Sequence, residues 1–278
     1  MKVTVIITNY NKAPFLEEAI ESAIRQDYKE FELLIIDDGS TDNSKLIIKS
    51  YLQHPRVKAI FQENQGVIST RNKAIRSATG EFVVQLDGDD KLAPNFLTET
   101  VLVMLANERA GIVYGEVEFF GEKKGLWDLG GYSLEKQLRT NQIVITALFK
   151  KSDFLKSGGY DMLFQNGYED WDLWLSIISL GKEVVKIDKR LFFYRILDLS
   201  RNSSISKKDL VEIRKNLFFK HKDLYNECFI NPIELANEVE RLKEFETAFN
   251  NIKMTFEYKM GKLLLSPIRK LKTLFSKS

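Results

Sequence analysis

At 278 residues, 44% apolar and 12% aromatic, the chain has ample nonpolar side chain for one large α/β domain and an appendage. Lysine and arginine number 41 against 39 aspartates and glutamates, and a net charge of +2 excludes a general electrostatic attraction to nucleic acid. A single cysteine, Cys228, excludes an intramolecular disulfide framework or a cysteine-built zinc site and suits a reducing cytoplasm.

The first predicted element is a strand over 3–8. Met1 runs straight into it, Val3-Thr4-Val5-Ile6-Ile7 is too short for a signal-peptide core, and no run of about 18 apolar residues occurs. The protein is therefore expected to be soluble or surface-bound. Similar β-branched runs recur at 31–36, 57–61 and 82–86. Between them Phe15, Leu16, Ala19, Ile20, Ala23 and Ile24 fall on one helical face, Leu46, Ile47 and Tyr51 mark a second helix, and 66–77 reads as a third. This alternation predicts right-handed crossovers and a mostly parallel, Rossmann-like sheet flanked by helices.

Ligands of such sheets bind beyond the carboxyl ends of the strands. The residues expected there are Thr8-Asn9-Tyr10-Asn11, Asp37-Asp38-Gly39-Ser40-Thr41-Asp42 and Asp87-Gly88-Asp89-Asp90. Each cluster has a local explanation to weigh against a functional one. Ser40 or Thr41 suits a helix N-cap, and Asp90 suits the cap of a helix beginning near Pro94. Local turns leave Asp37 and Asp38 unexplained, because carboxylates closing a buried strand need partners. Asp87, Asp89 and Asp90 repel one another unless solvent, a helix N-terminus or a hard cation faces them. Mn2+ or Mg2+ held by one or two carboxylates completes its shell with water and phosphate, which makes this cluster a candidate site for a metal-bound diphosphate.

Further along, strands are expected at 112–120 and 143–149, separated by Gly-rich turns of the kind that carry substrate-specific loops. A turn at Ser157-Gly158-Gly159-Tyr160-Asp161 precedes a helix whose Trp171, Trp174, Leu175 and Ile178 form an apolar stripe. Its first turn holds Glu169, Asp170 and Asp172, which the helix dipole favours whether or not they do chemistry. A strand pair at 183–187 and 191–195, a polar loop at 198–206 and two amphipathic helices at about 207–225 and 232–258 follow. The segment 259–278 has Lys259, Lys262, Arg269, Lys270, Lys272 and Lys277 with no acid. It is a candidate for lying on an anionic membrane surface, or equally for packing on the domain or a second copy.

Taken in order, VTVIITNYN, LLIIDDGSTDNS, ENQGVISTRNKAI, GEFVVQLDGDD, GGYD and GYEDWDLWL resemble family 2 glycosyltransferases of the GT-A fold, over about residues 1–200. The resemblance implies a catalytic domain over 1–205, with a nucleotide-sugar part at 1–115 and an acceptor-side part at 116–205, followed by a helical extension at 206–278. It implies a nucleotide-diphospho-sugar donor, typically of UDP, a divalent cation, and transfer with inversion to an oligosaccharide or lipid-linked acceptor in surface polysaccharide or glycan assembly. Carried over by position, Thr8 and Tyr10 line the base and ribose pocket, Asp38 hydrogen-bonds the base and Arg71 lies along the donor. Asp87 and Asp89 match the DxD motif, Asp87 toward ribose or sugar and Asp89 on the metal. Asp170 matches the catalytic base, with Glu169 beside it as an acceptor contact. Many relatives place a histidine after the Tyr-Arg that follows the last strand, whereas this chain has Tyr194-Arg195-Ile196-Leu197-Asp198, so Arg195 or the 201–204 loop is expected to neutralise the diphosphate instead. A degenerate member serving as a scaffold is the alternative. A sugar nucleotidyltransferase is less favoured, because Thr8-Asn9-Tyr10-Asn11-Lys12 is no Gly-rich phosphate loop.

Overall fold

β1 (Val3–Asn9), β2 (Phe31–Asp38), β3 (Val57–Gln62) and β4 (Phe82–Asp87) carry the four β-branched runs, each reaching one or two residues past its apolar stretch. In this computed structural model, which describes residues 1–128, 130–197, 205–229, 232–255, 258 and 260, they pair in parallel in the order β3-β2-β1-β4. The register sets Thr8 level with Ile36 and Asp87, Asn9 level with Asp37, and Asp38 level with Gln62. The polar strand ends therefore share one edge of the sheet, as expected. Three helices connect the strands: α1 (Ala13–Ile24), α2 (Ser44–Tyr51) and α3 (Val67–Ser77). Proline in its first turn starts α1, which buries Leu16, Ala19, Ile20 and Ala23. Each large apolar side chain so buried contributes about 1.5–3 kcal/mol.

The second half continues the sheet. β5 (Lys91–Leu92), α4 (Phe96–Ala106), β6 (Ala110–Gly121), β7 (Gly125–Trp127), α5 (Leu134–Arg139), β8 (Leu148–Lys150), α6 (Lys151–Ser157), α7 (Glu169–Ile178) and β9 (Glu183–Ile196) follow in sequence. The full strand order is β3-β2-β1-β4-β8-β6-β9-β5, with β7 pairing on β6. β6 and β9 run parallel, while β8 lies antiparallel to both β4 and β6.

Two expectations are corrected here. The strand pair at 183–187 and 191–195 is the single β9, because both halves pair with β6 and the register slips between Gly115↔Ile187 and Glu116↔Arg190. The strand expected at 143–149 shrinks to Leu148–Lys150. Gln142 N–H donates to the side chain of Gln137 and Ile143 N–H to that of Asn141, which takes those groups out of any ladder.

The chain divides into two compact units, Met1–Tyr225 and Asn226–Ser278. The helix expected over 207–225 breaks at His221 into α8 (Lys207–Lys220) and α9 (Lys222–Cys228). α8 buries Ile213 and Leu217 and belongs to the first unit, although the reading of the sequence places it in the extension. In the second unit α10 (Pro232–Met254) leaves Val239, Leu242, Phe245, Phe249 and Ile252 exposed. The 201–204 loop and the basic residues of 259–278 lie outside the described residues.

Candidate active site

The two aspartates that close β2 are both satisfied, in different ways. Asp37 is fully buried and accepts hydrogen bonds from Asn9 Nδ2 at 2.8 Å and from Ser40 N–H at 3.1 Å. It is a brace for the loop. Asp38 Oδ1 accepts from Gln62 Nε2 at 2.7 Å and Gln65 N–H at 2.9 Å, and Oδ2 accepts from Gly66 N–H at 3.0 Å. About four lone-pair positions exist on a carboxylate, so one of Oδ2 remains for a ligand. Gly39 is required beside it: φ is +76°, and a Cβ would stand 2.6 Å from the backbone nitrogen of Asn64.

The N-cap expectation for Ser40 or Thr41 does not hold. Asp42 instead accepts the N–H groups of Ala13 and Ser44, both at 2.9 Å, and so satisfies the starts of α1 and α2 together. Ser40 Oγ accepts from Asn9 Nδ2 and from Asn11 N–H.

At the end of β4 three carboxylates meet three different partners. Asp87 Oδ1 accepts from Arg71 at 2.7 Å and from Thr8 Oγ1 at 3.3 Å. Burial works to raise the Asp87 carboxyl, but the Arg71 guanidinium outweighs it and holds the group below the usual range. Asp89 is ion-paired with Lys12. Asp90 is buried and accepts from Arg195 N–H at 2.8 Å, so it does not cap α4, whose N-cap position is Asn95. Burial first, then the charges of Asp87 and Asp89, push the Asp90 carboxyl well above its ordinary value. Arg195 Nε donates to the Asp89 carbonyl, and its guanidinium packs over Phe15 and Phe120. Arg195, expected to meet the diphosphate, lines the same cleft while its Nε holds the 87–90 loop.

Thr8, Tyr10, Lys12, Asp38, Arg71, Asp87 and Asp89 all line one cleft of about 510 Å³, and Leu197 stands at its rim near the missing histidine's place. A second cavity of about 340 Å³ holds Glu169, Asp170, Asn141, Trp127 and Tyr168. The two share Arg71, Asp87 and Tyr194. The link is physical: buried Arg71 donates to Asp87 and, at 2.6 Å, to Glu169 Oε1. Asp170 accepts from Asn141 Nδ2 at 3.0 Å and from Trp171 N–H at 2.8 Å. Burial, then the Glu169 charge, pushes its carboxyl up to about 7, against the pull of Arg71. Lys12, Asn141, Tyr194 and Trp127 were not singled out by sequence reasoning. Lys12 alone left a signal, a cation four residues past Thr8.

Among the described residues no three His, Cys, Asp or Glu side chains converge closely enough to hold a metal ion by themselves. The Asp87, Asp89 and Asp90 carboxylates at the end of β4 are oxygen donors of the kind that suit a hard divalent cation, with Asp89 ion-paired to Lys12 and Asp87 to Arg71.

Residues 4–170 match the sequence model of Glycosyl transferase family 2. The chain belongs to glycosyltransferase family 2. This family member is 26% identical over 283 residues to glycosyltransferase GlyG of Streptococcus pneumoniae, covering 92% of this chain and 89% of that one. Two other curated relatives are longer, and the chain spans only 36% and 32% of their length. Among solved structures it resembles S. aureus TarS 1-349 in complex with UDP-GlcNAc, with a TM-score of 0.65 and 19% identity over 81% of this chain and 72% of that one. It also resembles the mannosyltransferase PcManGT from Pyrobaculum calidifontis in complex with GDP-Man and Mn2+, with a TM-score of 0.58 and 19% identity over 99% and 88%. The family member has the GT-A fold.

Proposed function

We propose that the protein is an inverting, metal-dependent glycosyltransferase that moves a sugar from a nucleotide-diphospho-sugar, UDP-linked by family habit, to an acceptor hydroxyl in polysaccharide or glycan assembly. One observation carries the reading. Arg71 touches both Asp87 and Glu169, so the cleft of Asp38 and Asp89 adjoins the cavity of Asp170. TarS solved with UDP-GlcNAc and PcManGT solved with GDP-Man and Mn2+ support a nucleotide-sugar donor and a divalent cation.

In this reading Thr8, Tyr10 and the remaining lone pair of Asp38 hold the nucleoside, and Arg71 and Asp87 hold ribose and sugar. Cleavage of the anomeric C–O bond leaves negative charge on the diphosphate. A cation held by Asp89, when bound, neutralises that charge as a Lewis acid. Lys12 adds positive charge at the same place. Inversion requires the acceptor oxygen on the face opposite the leaving diphosphate, where one carboxylate must take its proton. Asp170 stands in the second cavity, across Arg71 and Tyr194, and with a pKa pushed up to about 7 it is a base poised for neutral pH. Glu169 lines the same cavity as an acceptor contact. The basic stretch 259–278 supports attachment to the cytoplasmic face of a membrane that presents a lipid-linked acceptor.

The test is a thermal-shift screen of UDP-, GDP- and dTDP-sugars with Mn2+. A donor present at 100 times its Kd stabilises the fold by about 2.7 kcal/mol, and no shift with any of them overturns the reading. D170N should then lower transfer by about 10²–10⁴-fold while donor affinity stays within a few-fold. Lost donor binding would reassign Asp170 to the donor.

A further inference from the structure

We propose that Asn141 is the positioning residue that aims the Asp170 carboxylate at the acceptor hydroxyl, a role that rests on Asp170 being the base. The amide of Asn141 has only one workable orientation. Its Oδ1 accepts from Gln137 Nε2 at 3.0 Å and from Ile143 N–H at 3.3 Å, so its NH₂ end faces Asp170 Oδ2 at 3.0 Å. Gln137 is itself fixed. It is fully buried, its Oε1 accepts from Gln142 N–H at 2.7 Å, and its backbone carbonyl accepts from the Trp171 indole N–H at 2.7 Å. Trp171 N–H donates to Asp170 Oδ1 at 2.8 Å, which closes the circuit. Each Asp170 oxygen thus receives one N–H, and the carboxylate cannot rotate without losing a charge-assisted bond.

The circuit also sets where the base works. A donated N–H favours the ionised carboxylate, and Asn141 opposes the rise that burial and Glu169 impose. The other groups facing Asp170 are Arg71 from α3, which pulls the same way as Asn141, and Asp87 and Arg214, which line the cavity. The Tyr160 and Tyr194 hydroxyls, both pushed up by burial and by neighbouring carboxylates, stay neutral across the working range.

The experiment measures Mn2+-dependent donor hydrolysis, with water in the acceptor's place, from pH 5 to 9. N141A should move the acidic limb of the profile up by about one pH unit, which at pH 7 is a loss of about fivefold that high pH restores. N141D keeps acceptors for Gln137 and Ile143 but confronts Asp170 with a second carboxylate, and should move the limb further. A uniform loss at every pH, with three coincident limbs, overturns the positioning role. D170N separates the two readings: parent-like hydrolysis by D170N means Asp170 is not the base, whereas an inert D170N with coincident limbs sinks the role of Asn141 alone. The same coupling is readable without turnover. The effect of N141A on the pH dependence of unfolding should vanish in the D170N background, and its persistence there also overturns the proposal.

Discussion

Arg71 sits with its guanidinium between two carboxylates and away from solvent, and its surroundings hold its proton more firmly than in water. Removing it takes away the cation that Asp87 and Glu169 share. R71M should therefore lower stability by about 3–5 kcal/mol in urea unfolding. R71K keeps the charge but not the two-armed fork, and is expected to recover only part of that loss. At Asp170 the sign of the pH dependence follows from its raised pKa. The unfolded carboxyl titrates near 4 and the folded one near 7, so the folded state binds the proton more tightly and loses stability as pH rises between those values. Relative to the parent, D170N should gain on the order of 1–3 kcal/mol from pH 4 to pH 8, and a flat difference would refute the perturbed carboxyl. The places of Asp87, Asp89 and Asp170 on the lining of the cleft and its neighbouring cavity were legible because carboxylates at strand and helix ends stand out in a one-dimensional pattern. Lys12 and Asn141 were not, since their partners Asp89 and Asp170 lie far along the chain and only the fold joins them. Asp90 misled for the same reason: its partner, Arg195 N–H, is 105 positions away, and a local cap was the nearest explanation.

Among the elements, α7 and α8 are joined by a buried ionic lock. Asp172, without solvent exposure, accepts from Lys220 Nζ at 2.9 Å and pairs with His221 Nε2 at 2.8 Å, while Lys220 also reaches Asp161. His221 lies at the break between α8 and α9, which explains why the single amphipathic run of the sequence becomes two helices. D172A takes from Lys220 and from buried His221 the carboxylate they share, leaving Lys220 with Asp161, and should cost about 1–3 kcal/mol, with D172N costing less; an unchanged melting midpoint would show that the lock is ornamental. α7 carries Glu169 and Asp170 in its first turn, so the variant should also weaken transfer without touching any substrate. Existence and order of elements were readable from periodicity for β1 to β4 and for α1, α3 and α7. The extents of β8 and β9 were not, because side chains that capture backbone N–H groups, and a partner strand that accepts both halves of a bulged run, leave no periodic trace.

For the molecule as a whole, charge is distributed more informatively than its near-zero sum suggests. Glu32 shows the inner rule: its carboxylate, held far below the usual range by hydrogen bonds from Thr79, Lys58 and Thr4 against the penalty of burial, is paired on all sides. The segment 259–278 holds cations and no acid. Ending the chain after Tyr258 should release the protein from phosphatidylglycerol vesicles in a flotation assay, and unchanged flotation removes the membrane attachment.

The family match stops at residue 170, yet the first unit runs on to Tyr225, whose hydroxyl donates at 2.7 Å to the Leu138 carbonyl at the end of α5. The family signature and the folded unit therefore have different borders. A gene fragment cut at residue 170, where the family signature ends, would discard Trp171, the whole of β9 and the tyrosine bonded to the end of α5. Anyone shuffling or trimming this enzyme should place the scissors beyond Cys228, where α9 ends, not after the motif.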